Sequence, residues 1–282
     1  MTASLYEAWR DAVRAGRPVA LATVIVGPAD RLGAKILCGP ADAGAEAVVL
    51  GSLGDPDLDR VVTRDSLGEL EVGRSGTRHY GLAGEARLED VSVFIESFAP
   101  PPRMIVFGAV DFTAALVRLA KLLGYRVTVG DARAVFATRA RFPLADEVVV
   151  DWPDRHLAKV GAGLGPRDAV CVLTHDAKFD VPALKAALAT RAGYIGAMGS
   201  RRTHAARVER LLEAGVDPAD LDRIQSPIGL DLGARTPEET AVSICAEIIA
   251  LRTGRRPPSL RHGAGPIHAP VPFPAPAASA RP

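Results

Sequence analysis

The stretch MIVFGAVDFTAALVRLAKLLGYRVTVG, residues 104–130, decides the fold that the sequence predicts. Residues 104–107 form a short apolar run that ends at Gly108, residues 112–123 carry apolar side chains at helical spacing, and residues 126–129 (RVTV) again predict a strand. A strand, a glycine turn, a helix and a second strand in this order form a crossover unit whose two strands run parallel. The stretch therefore predicts one unit of a parallel α/β sheet.

The same alternation continues to about residue 253. Further strands are predicted at 147–150, 169–173 and 194–198, and further helices at 153–160, 181–190, 201–214 and 237–251. Repeated crossovers place helices on both faces of one sheet. The predicted fold class is therefore α/β, a Rossmann-like parallel sheet with helices on both faces, preceded by a smaller α+β domain.

The N-terminal hundred residues have a different pattern. Ser4 and Glu7 predict a capping box at the start of a helix, and Asp55 with Pro56 predicts the start of another. Strands are predicted at 18–26, 35–38, 47–50, 70–72, 78–82 and 91–98. This mixture indicates a small α+β domain in which neighbouring strands pair antiparallel.

Proline punctuates the chain at two places. Ala99-Pro100-Pro101-Pro102 is a stiff connector, and the end of the chain holds 8 of the 22 prolines with no periodic apolar face. We therefore predict an accessory domain over residues 1–98, a linker over 99–103, a Rossmann-like domain over 104–253 and a disordered tail over 254–282.

Composition excludes several classes of protein. With 34 Lys and Arg against 33 Asp and Glu, the net charge of +1 argues against a nucleic-acid partner. No apolar run approaches the roughly 20 residues of a membrane helix. The first residues lack the order of a signal peptide, and the three cysteines have no CxxC spacing. We expect a soluble cytoplasmic protein.

The turn after the first parallel strand has the position of a dinucleotide fingerprint. Gly108 begins it, and Asp131 lies where a ribose-binding acid would stand. However, Val110 replaces the glycine that lets the backbone approach a pyrophosphate, and Asp111 places a negative charge at the helix start. A tight turn with Asp111 as the helix cap and a role in phosphate binding both remain open, and NAD(P) is not the expected cofactor.

The strand at 169–173 is followed by His175 and Asp176, which could ligate a metal or transfer protons. Asp180 is interpreted as the cap of a helix beginning at Val181 and Pro182. His175 is a better candidate than Asp180 for a ligand-binding role, because ligands of this fold bind beyond the carboxyl ends of the strands.

The next strand runs into Gly199, Ser200, Arg201 and Arg202. If Ser200 caps the following helix, free N–H groups, the positive helix end and two guanidinium groups together form an anion site. The alternative is a capped helix with two solvated arginines.

A glycine-rich, largely apolar loop precedes the last helix. It contains Gly229, Asp231 and Gly233, and such a loop can pass close to a flat ligand. Thr236 and Glu239 then form a capping box, which explains the helix start but not the glycines.

Together these motifs resemble the xanthine dehydrogenase accessory family, chaperones that insert molybdenum cofactor into molybdenum hydroxylases. The segments that carry the resemblance are RFPLADEV at 141–148, VLTHDAKFD at 172–180, YIGAMGSRRTHAARVERLLEAG at 194–215 and PIGLDLGARTPEETAVSICAEI at 227–248. The resemblance is dense over residues 104–253 and looser before them.

The resemblance implies binding rather than turnover, in a homodimer. The protein would hold the molybdenum cofactor (molybdopterin), assist its sulfuration by a cysteine desulfurase and deliver it to an apo molybdenum hydroxylase. One alternative is an NAD(P)-dependent oxidoreductase that uses Asp131 for the ribose. Another is a regulatory module that senses a nucleotide and recruits a partner through its proline-rich tail.

Twelve residues at the predicted strand ends are the expected cofactor-binding set: Gly108, Asp131, Arg133, His175, Asp176, Gly199, Ser200, Arg201, Arg202, Gly229, Asp231 and Gly233. By the resemblance, Val110 and Asp111 replace a glycine and a histidine. Asp57 stands where many members carry a cysteine, so a sulfur-transfer thiol is missing at that position.

Overall fold

The computed structural model describes residues 3–40 and 47–255. The chain divides into two compact units, Met1–Pro102 with Gly165–Arg167, and Arg103–Leu164 with Asp168–Pro282. The predicted tail lies outside the described residues from residue 256 onward. No helix within the described ranges combines the length and hydropathy needed to cross a bilayer.

The first unit is an antiparallel sheet with two helices. Its elements are α1 (Ala3–Arg14), β1 (Val19–Val26), β2 (Lys35–Gly39), β3 (Val48–Ser52), α2 (Pro56–Val72), β4 (Gly76–Tyr80) and β5 (Val91–Phe98). The strand order is β3-β2-β1-β5-β4, and every pair is antiparallel. Along β1, successive side chains point to opposite faces of the sheet. Ala20, Ala22 and Val24 therefore enter one core, while Val19 and Leu21 enter another with residues of α1.

Two local predictions for this unit are wrong. Residues 70–72 belong to α2, because the helix buries Leu58, Val62 and Leu70 and ends only at Gly73, whose φ of 66° is left-handed. Ser4 lies inside α1 and is not its cap. The cap predicted for α2 is confirmed: Asp55 accepts from the N–H groups of residues 57 and 58, and Pro56 occupies the first helical position.

The second unit contains a six-stranded sheet. Its elements are β6 (Arg103–Phe107), α3 (Asp111–Leu122), β7 (Arg126–Gly130), β8 (Glu147–Val149), α4 (Pro153–Val160), β9 (Ala169–Val172), α5 (Ala177–Leu188), β10 (Tyr194–Ala197), α6 (Arg201–Glu213), α7 (Pro218–Leu221), β11 (Ile224–Gln225) and α8 (Pro237–Arg252). The order is β11-β10-β9-β6-β7-β8, and all pairs are parallel. The order reverses between β6 and β9, which is the switch point of a Rossmann sheet. The predicted fold class is confirmed; the short α7 and β11 and a 3-10 turn at Gly161–Gly163 were missed.

Alternating side chains of the strands feed a core on each face of this sheet. Met104 and Val106 pack on one side with residues of α3 and α8, while Ile105 and Phe107 pack on the other with Leu184 of α5 and Leu211 of α6. A strand buried on both faces needs an unbroken apolar run, which is why 104–107 has no polar residue.

All three cysteines are buried, as predicted: Cys38 in the core of the first unit, and Cys171 and Cys245 in a core of the second. Burial raises the pKa of Cys38 to about 11 and that of Cys245 to about 11. It also raises the pKa of Cys171 well above its usual range. The thiolate, which is the reactive form, is therefore scarce at neutral pH.

We expect the three thiols of the folded protein to stay unreactive towards a thiol-specific disulfide reagent at mildly alkaline pH, because they are both buried and protonated. All three should react once the protein is unfolded in concentrated guanidinium. A thiol count by absorbance in each condition checks this. Rapid reaction of one thiol in the folded protein would contradict it.

Candidate functional site

At the switch point between β6 and β9, the protein's own atoms fill the space beside the glycine turn. Gly108 has a φ of 108°, and a Cβ there would lie 2.9 Å from Cγ2 and 3.0 Å from the backbone N of Thr174. Its N–H donates to the carbonyl of Gly130 at 2.9 Å, and Thr113 donates its hydroxyl to the carbonyl of Gly108. The glycine is therefore required for the close approach of β6 and β9.

Asp131 is folded back onto this turn. It is 4% exposed, and its carboxylate accepts from the N–H of Ala109 at 2.9 Å and from the N–H of Arg133 at 2.9 Å. The Arg133 guanidinium adds two bonds of 3.0 and 2.9 Å. Burial alone would raise the pKa of Asp131, but the guanidinium and the two N–H groups bring the pKa below its usual value. Both oxygens are engaged, so a ribose hydroxyl has no vacant acceptor here.

The helix that follows is not capped by Asp111, so that interpretation is wrong. Val110 is the N-cap residue, without a side-chain bond, and Asp111 is the first residue of α3. The Asp111 side chain is 92% exposed and lies 3.5 Å from Arg141, which also donates to the carbonyl of Ala109 at 2.9 Å. A carboxylate one residue inside the helix cannot reach the N–H groups that a cap serves, although it still interacts favourably with the dipole.

Four side chains beside the turn form an aromatic–guanidinium shelf, a set that sequence reasoning missed except for Arg133. The Arg133 guanidinium lies 4.5 Å from the ring centroid of Phe136 and 5.9 Å from that of Phe179. The ring of Trp152 lies 5.0 Å from the ring of Phe179. Trp152 is 37% and Phe136 38% exposed, so flat apolar surface reaches solvent here. Such a surface can stack on a ring. The position of Trp152, just beyond β8, was the available signal.

Asp180 is a buried ion-pair partner and not a cap, contrary to prediction. The helix α5 begins at Ala177 and is capped by Asp176, which accepts from the N–H of Lys178 at 3.1 Å. Asp180 is 3% exposed and accepts from the hydroxyl of Thr174 and from Arg207 at 2.8 Å. Proline normally sits in the first turn, which is why Pro182 suggested a later helix start.

Arg207 joins three strand ends. Its guanidinium also donates to the carbonyl of Met198 at 2.8 Å and to the hydroxyl of Ser226 at 3.1 Å. Through Asp180 it is connected to Thr174, so the residues that follow β9, β10 and β11 share one network. We call Thr174, Asp180, Arg207 and Ser226 the strand-end network. Sequence reasoning missed Arg207 because a single arginine on a helix is usually solvated.

The predicted anion site has its parts in place. Ser200 caps α6, as predicted, and accepts from the N–H of Thr203 at 3.1 Å. Gly199 precedes it with a φ of 144°. Arg201 and Arg202 are exposed, and neither forms an ion pair or hydrogen bond with any residue that the structure describes. Positive charge is therefore concentrated, without a neutralising partner there, at the N-terminus of a helix.

Other predicted residues lie near this edge with different environments. His175 is exposed and bonds to no other described residue, and Asp176 is also paired with Lys178 at 3.3 Å. On α6, burial and the charge of Arg207 lower the pKa of His204, so its ring is neutral at pH 7.

Across residues 3–40 and 47–255, His, Cys, Asp and Glu side chains nowhere form a group of three suited to a metal ion.

The glycine-rich loop packs on α8. Gly229 has a φ of 95° and donates its N–H to Glu247 at 2.9 Å, and a Cβ there would lie 2.5 Å from the Ser243 hydroxyl. Asp231 and Gly233 are exposed further along. Gly229 therefore serves a close backbone approach to a helix. The capping box of Thr236 and Glu239 is confirmed.

The predicted residues thus fall into two groups beyond the strand ends. Gly108, Asp131 and Arg133 lie after β6 and β7, where the chain's own groups satisfy one another. The residues from Gly199 to Arg202 lie after β10, where guanidinium groups face solvent. The fold is that of a Rossmann domain, in which the carboxyl edge of the sheet is filled by the chain's own groups at the dinucleotide turn and exposes unpaired donors at a different helix N-terminus.

The chain belongs to the XdhC family: the model of the XdhC Rossmann domain matches residues 104–248, about half of the chain. The predicted family is confirmed.

Individual relatives agree with this assignment. A Bacillus subtilis protein named as a probable subunit of xanthine dehydrogenase is 34% identical over 190 residues, covering 62% of this chain and 55% of the relative. The Escherichia coli molybdenum cofactor insertion chaperone PaoD is 29% identical over 159 residues, covering 56% and 43%. The chain therefore spans about half the length of the curated relatives it matches.

A solved structure shares the fold. A crystal structure described as a xanthine dehydrogenase from Bacillus halodurans has a TM-score of 0.51 and 24% identity, covering 89% of this chain and 96% of that one.

The strand-end network yields a stability prediction. Replacing Arg207 by Met or Asp180 by Leu leaves one buried charge unpaired, so each change should cost about 3–5 kcal/mol of unfolding free energy. The double replacement should cost much less than the sum. Urea titration followed by circular dichroism measures all three.

Arg202→Ala serves as the control, since an exposed arginine should change the unfolding free energy by less than about 0.5 kcal/mol. Equal, small effects for Arg207→Met and Arg202→Ala would contradict the network.

Proposed function

We propose that this protein binds molybdenum cofactor at the carboxyl edge of the parallel sheet and delivers it to an apo molybdenum hydroxylase. The observation that carries the proposal is the N-terminus of α6, where Ser200 caps the helix beside two exposed arginines. Membership of the XdhC family and the likeness to a protein named as a molybdenum cofactor insertion chaperone support this cargo.

The donor set at α6 fits the anionic end of the cofactor. A terminal phosphate accepts hydrogen bonds from helix N-terminal N–H groups and gains from the dipole. Arg201 and Arg202 add guanidinium forks that match phosphate oxygens. Since neither arginine has a described partner, binding a phosphate would not require an existing ion pair to break.

The rest of the edge fits a flat ring. The aromatic–guanidinium shelf offers stacking surface, and the exposed residues Asp231 and Gly233 of the loop offer polar groups for a pterin edge. When bound, the cofactor supplies the molybdenum and its dithiolene. The chain's own residues would hold the phosphate, orient the ring and restrict the access of water.

The proposal assigns binding, and no bond-making step, to this chain. The three thiols are buried with raised pKa values, and Asp57, at the position where the resemblance implies a cysteine in many members, has a carboxylate that is 67% exposed. Sulfur for the metal would therefore come from a partner, a cysteine desulfurase. A homodimer and a cytoplasmic location belong to the same proposal.

Reversing the charge at the α6 N-terminus tests the site. Arg201→Glu combined with Arg202→Glu should weaken cofactor binding about tenfold or more, because each lost charge-assisted bond is worth about 1.5–3 kcal/mol. Binding is measured by titration calorimetry under anaerobic conditions, and circular dichroism reports the fold.

Arg210→Glu is the control, since it reverses a charge on the same helix away from its N-terminus. Unchanged affinity in the double variant would return Arg201 and Arg202 to the solvated surface. Failure of the unaltered protein to bind the cofactor, or to increase activation of an apo-hydroxylase, would contradict the proposed function itself.

The engaged state of Asp131 predicts weak binding of nicotinamide dinucleotides. A ribose hydroxyl would have to displace the Ala109 N–H or the Arg133 guanidinium from the carboxylate. We expect NADH fluorescence to show no saturable binding in the micromolar range. Saturable binding that Asp131→Asn abolishes would favour an oxidoreductase instead.

A further inference from the structure

A cavity of about 200 Å³ lies in the first unit, outside the residues that the family model matches. It is lined by residues of α2, β4 and the loop that follows β4, and it is open to solvent on one side. Three of its lining residues are arginines, Arg64, Arg78 and Arg87, and Asp65 is the acidic residue among those lining it. The cavity is therefore positively charged, although the whole chain is nearly neutral.

Two buried carboxylates hold the wall of the cavity in position. Asp65 accepts from Arg64 at 3.0 and 2.8 Å and from the hydroxyl of Tyr80 at 3.1 Å. Behind it, Glu69 is bound by Arg74 at 2.6 and 2.9 Å and by Arg78 at 2.6 and 3.0 Å. These ion pairs fix the arginines in place before any ligand arrives.

Arg64 keeps donors that can reach a ligand in the cavity. The side chain of Arg64 is 73% exposed, and it uses Nε and Nη2 for Asp65. A guanidinium has five N–H donors, so Arg64 can bond to a second acceptor without leaving the first.

The conformation of Arg87 is a second indication of a ligand site, independent of the charges that line the cavity. Its φ of 67° is the sole left-handed value found at a residue other than glycine in the described part of the chain. That conformation costs about 1–2 kcal/mol. Arg87 is exposed, lines the cavity and makes no hydrogen bond or ion pair with another described residue. A strained residue whose side chain bonds to nothing in the folded protein is typical of a functional position.

The size of the cavity limits the ligand. Sites for drug-sized molecules occupy roughly 300–1,000 Å³, so a nucleotide or a pterin would extend out of this cavity into solvent. A volume of 200 Å³ matches several water molecules at about 30 Å³ each, which is room for a small oxyanion and its residual hydration. Guanidinium forks pair best with tetrahedral or planar oxyanions.

We propose that this cavity is a second ligand site, which binds a small tetrahedral oxyanion, either free phosphate or the phosphate group of a small monoester. Arg64 and Arg78 form its preorganised wall, and Arg87 closes on the ligand from the loop. The site is distinct from the edge of the parallel sheet and does not depend on the function proposed there.

Titration with inorganic phosphate tests this proposal. The full chain carrying Arg201→Glu and Arg202→Glu serves as the parent, so that α6 cannot contribute. Calorimetry at constant ionic strength, balanced with chloride, should show one saturable site. Arg87→Gly should weaken it about tenfold or more, since a charge-assisted bond is lost. Arg60→Ala, which removes an exposed arginine of α2 outside the cavity, should change the affinity less than about twofold.

Measuring the urea midpoint of Arg87→Gly tests whether this variant still folds. Glycine adopts a positive φ without a Cβ clash, so the midpoint in phosphate-free chloride should equal or exceed that of the parent. Glycerol phosphate, titrated in parallel, separates the two sources of the group: tighter binding than phosphate indicates a monoester, and weaker binding indicates the free ion. Absence of saturable phosphate binding in the parent, or equal affinity in Arg87→Gly, would overturn the proposal.

Discussion

The ion pair between Arg207 and Asp180 is the constraint on which the carboxyl edge of the parallel sheet depends. Their side chains are 3% and 4% exposed, and burying two charges is stable only when each finds further hydrogen bonds. Thr174 supplies one for the carboxylate, while Met198 and Ser226 supply two for the guanidinium. Because these partners follow three different strands, the pair fixes the loops after β9, β10 and β11 relative to one another. Because the loop after β10 leads into α6, this network also fixes the position of the capped N-terminus of α6.

The two halves of the edge have opposite electrostatics. After β6 and β7, every strong group is matched: the carboxylate of Asp131 takes the Ala109 N–H and the Arg133 guanidinium, and Thr174 fills the space in front of Gly108. After β10, a helix N-terminus and two guanidinium groups face solvent. A ligand gains free energy where donors are unpaired and loses it where they must first be freed. This difference moves the expected anion site from the usual dinucleotide turn to α6.

Much of the local structure followed from short stretches of sequence. Asp55-Pro56, Ser200 and the Thr236–Glu239 box each cap a helix as predicted, because a cap is formed by residues within one turn. The errors were also local in origin. Pro182 suggested a late start for α5, and residues 70–72 resembled a strand although α2 continues to Val72. In both places the burial of one helix face outweighed the local signal.

The sequence by itself determined the alternation of strands and helices, the parallel sheet, the helix caps and the buried cysteines, since each depends on apolar periodicity or on neighbours along the chain. The tertiary structure alone decided which polar groups satisfy one another. Asp180 and Arg207 are 27 residues apart, and Ala109 and Asp131 are 22 apart. Pairs at such separations form only when strands are brought side by side, and no local pattern records which side chain a strand end will meet.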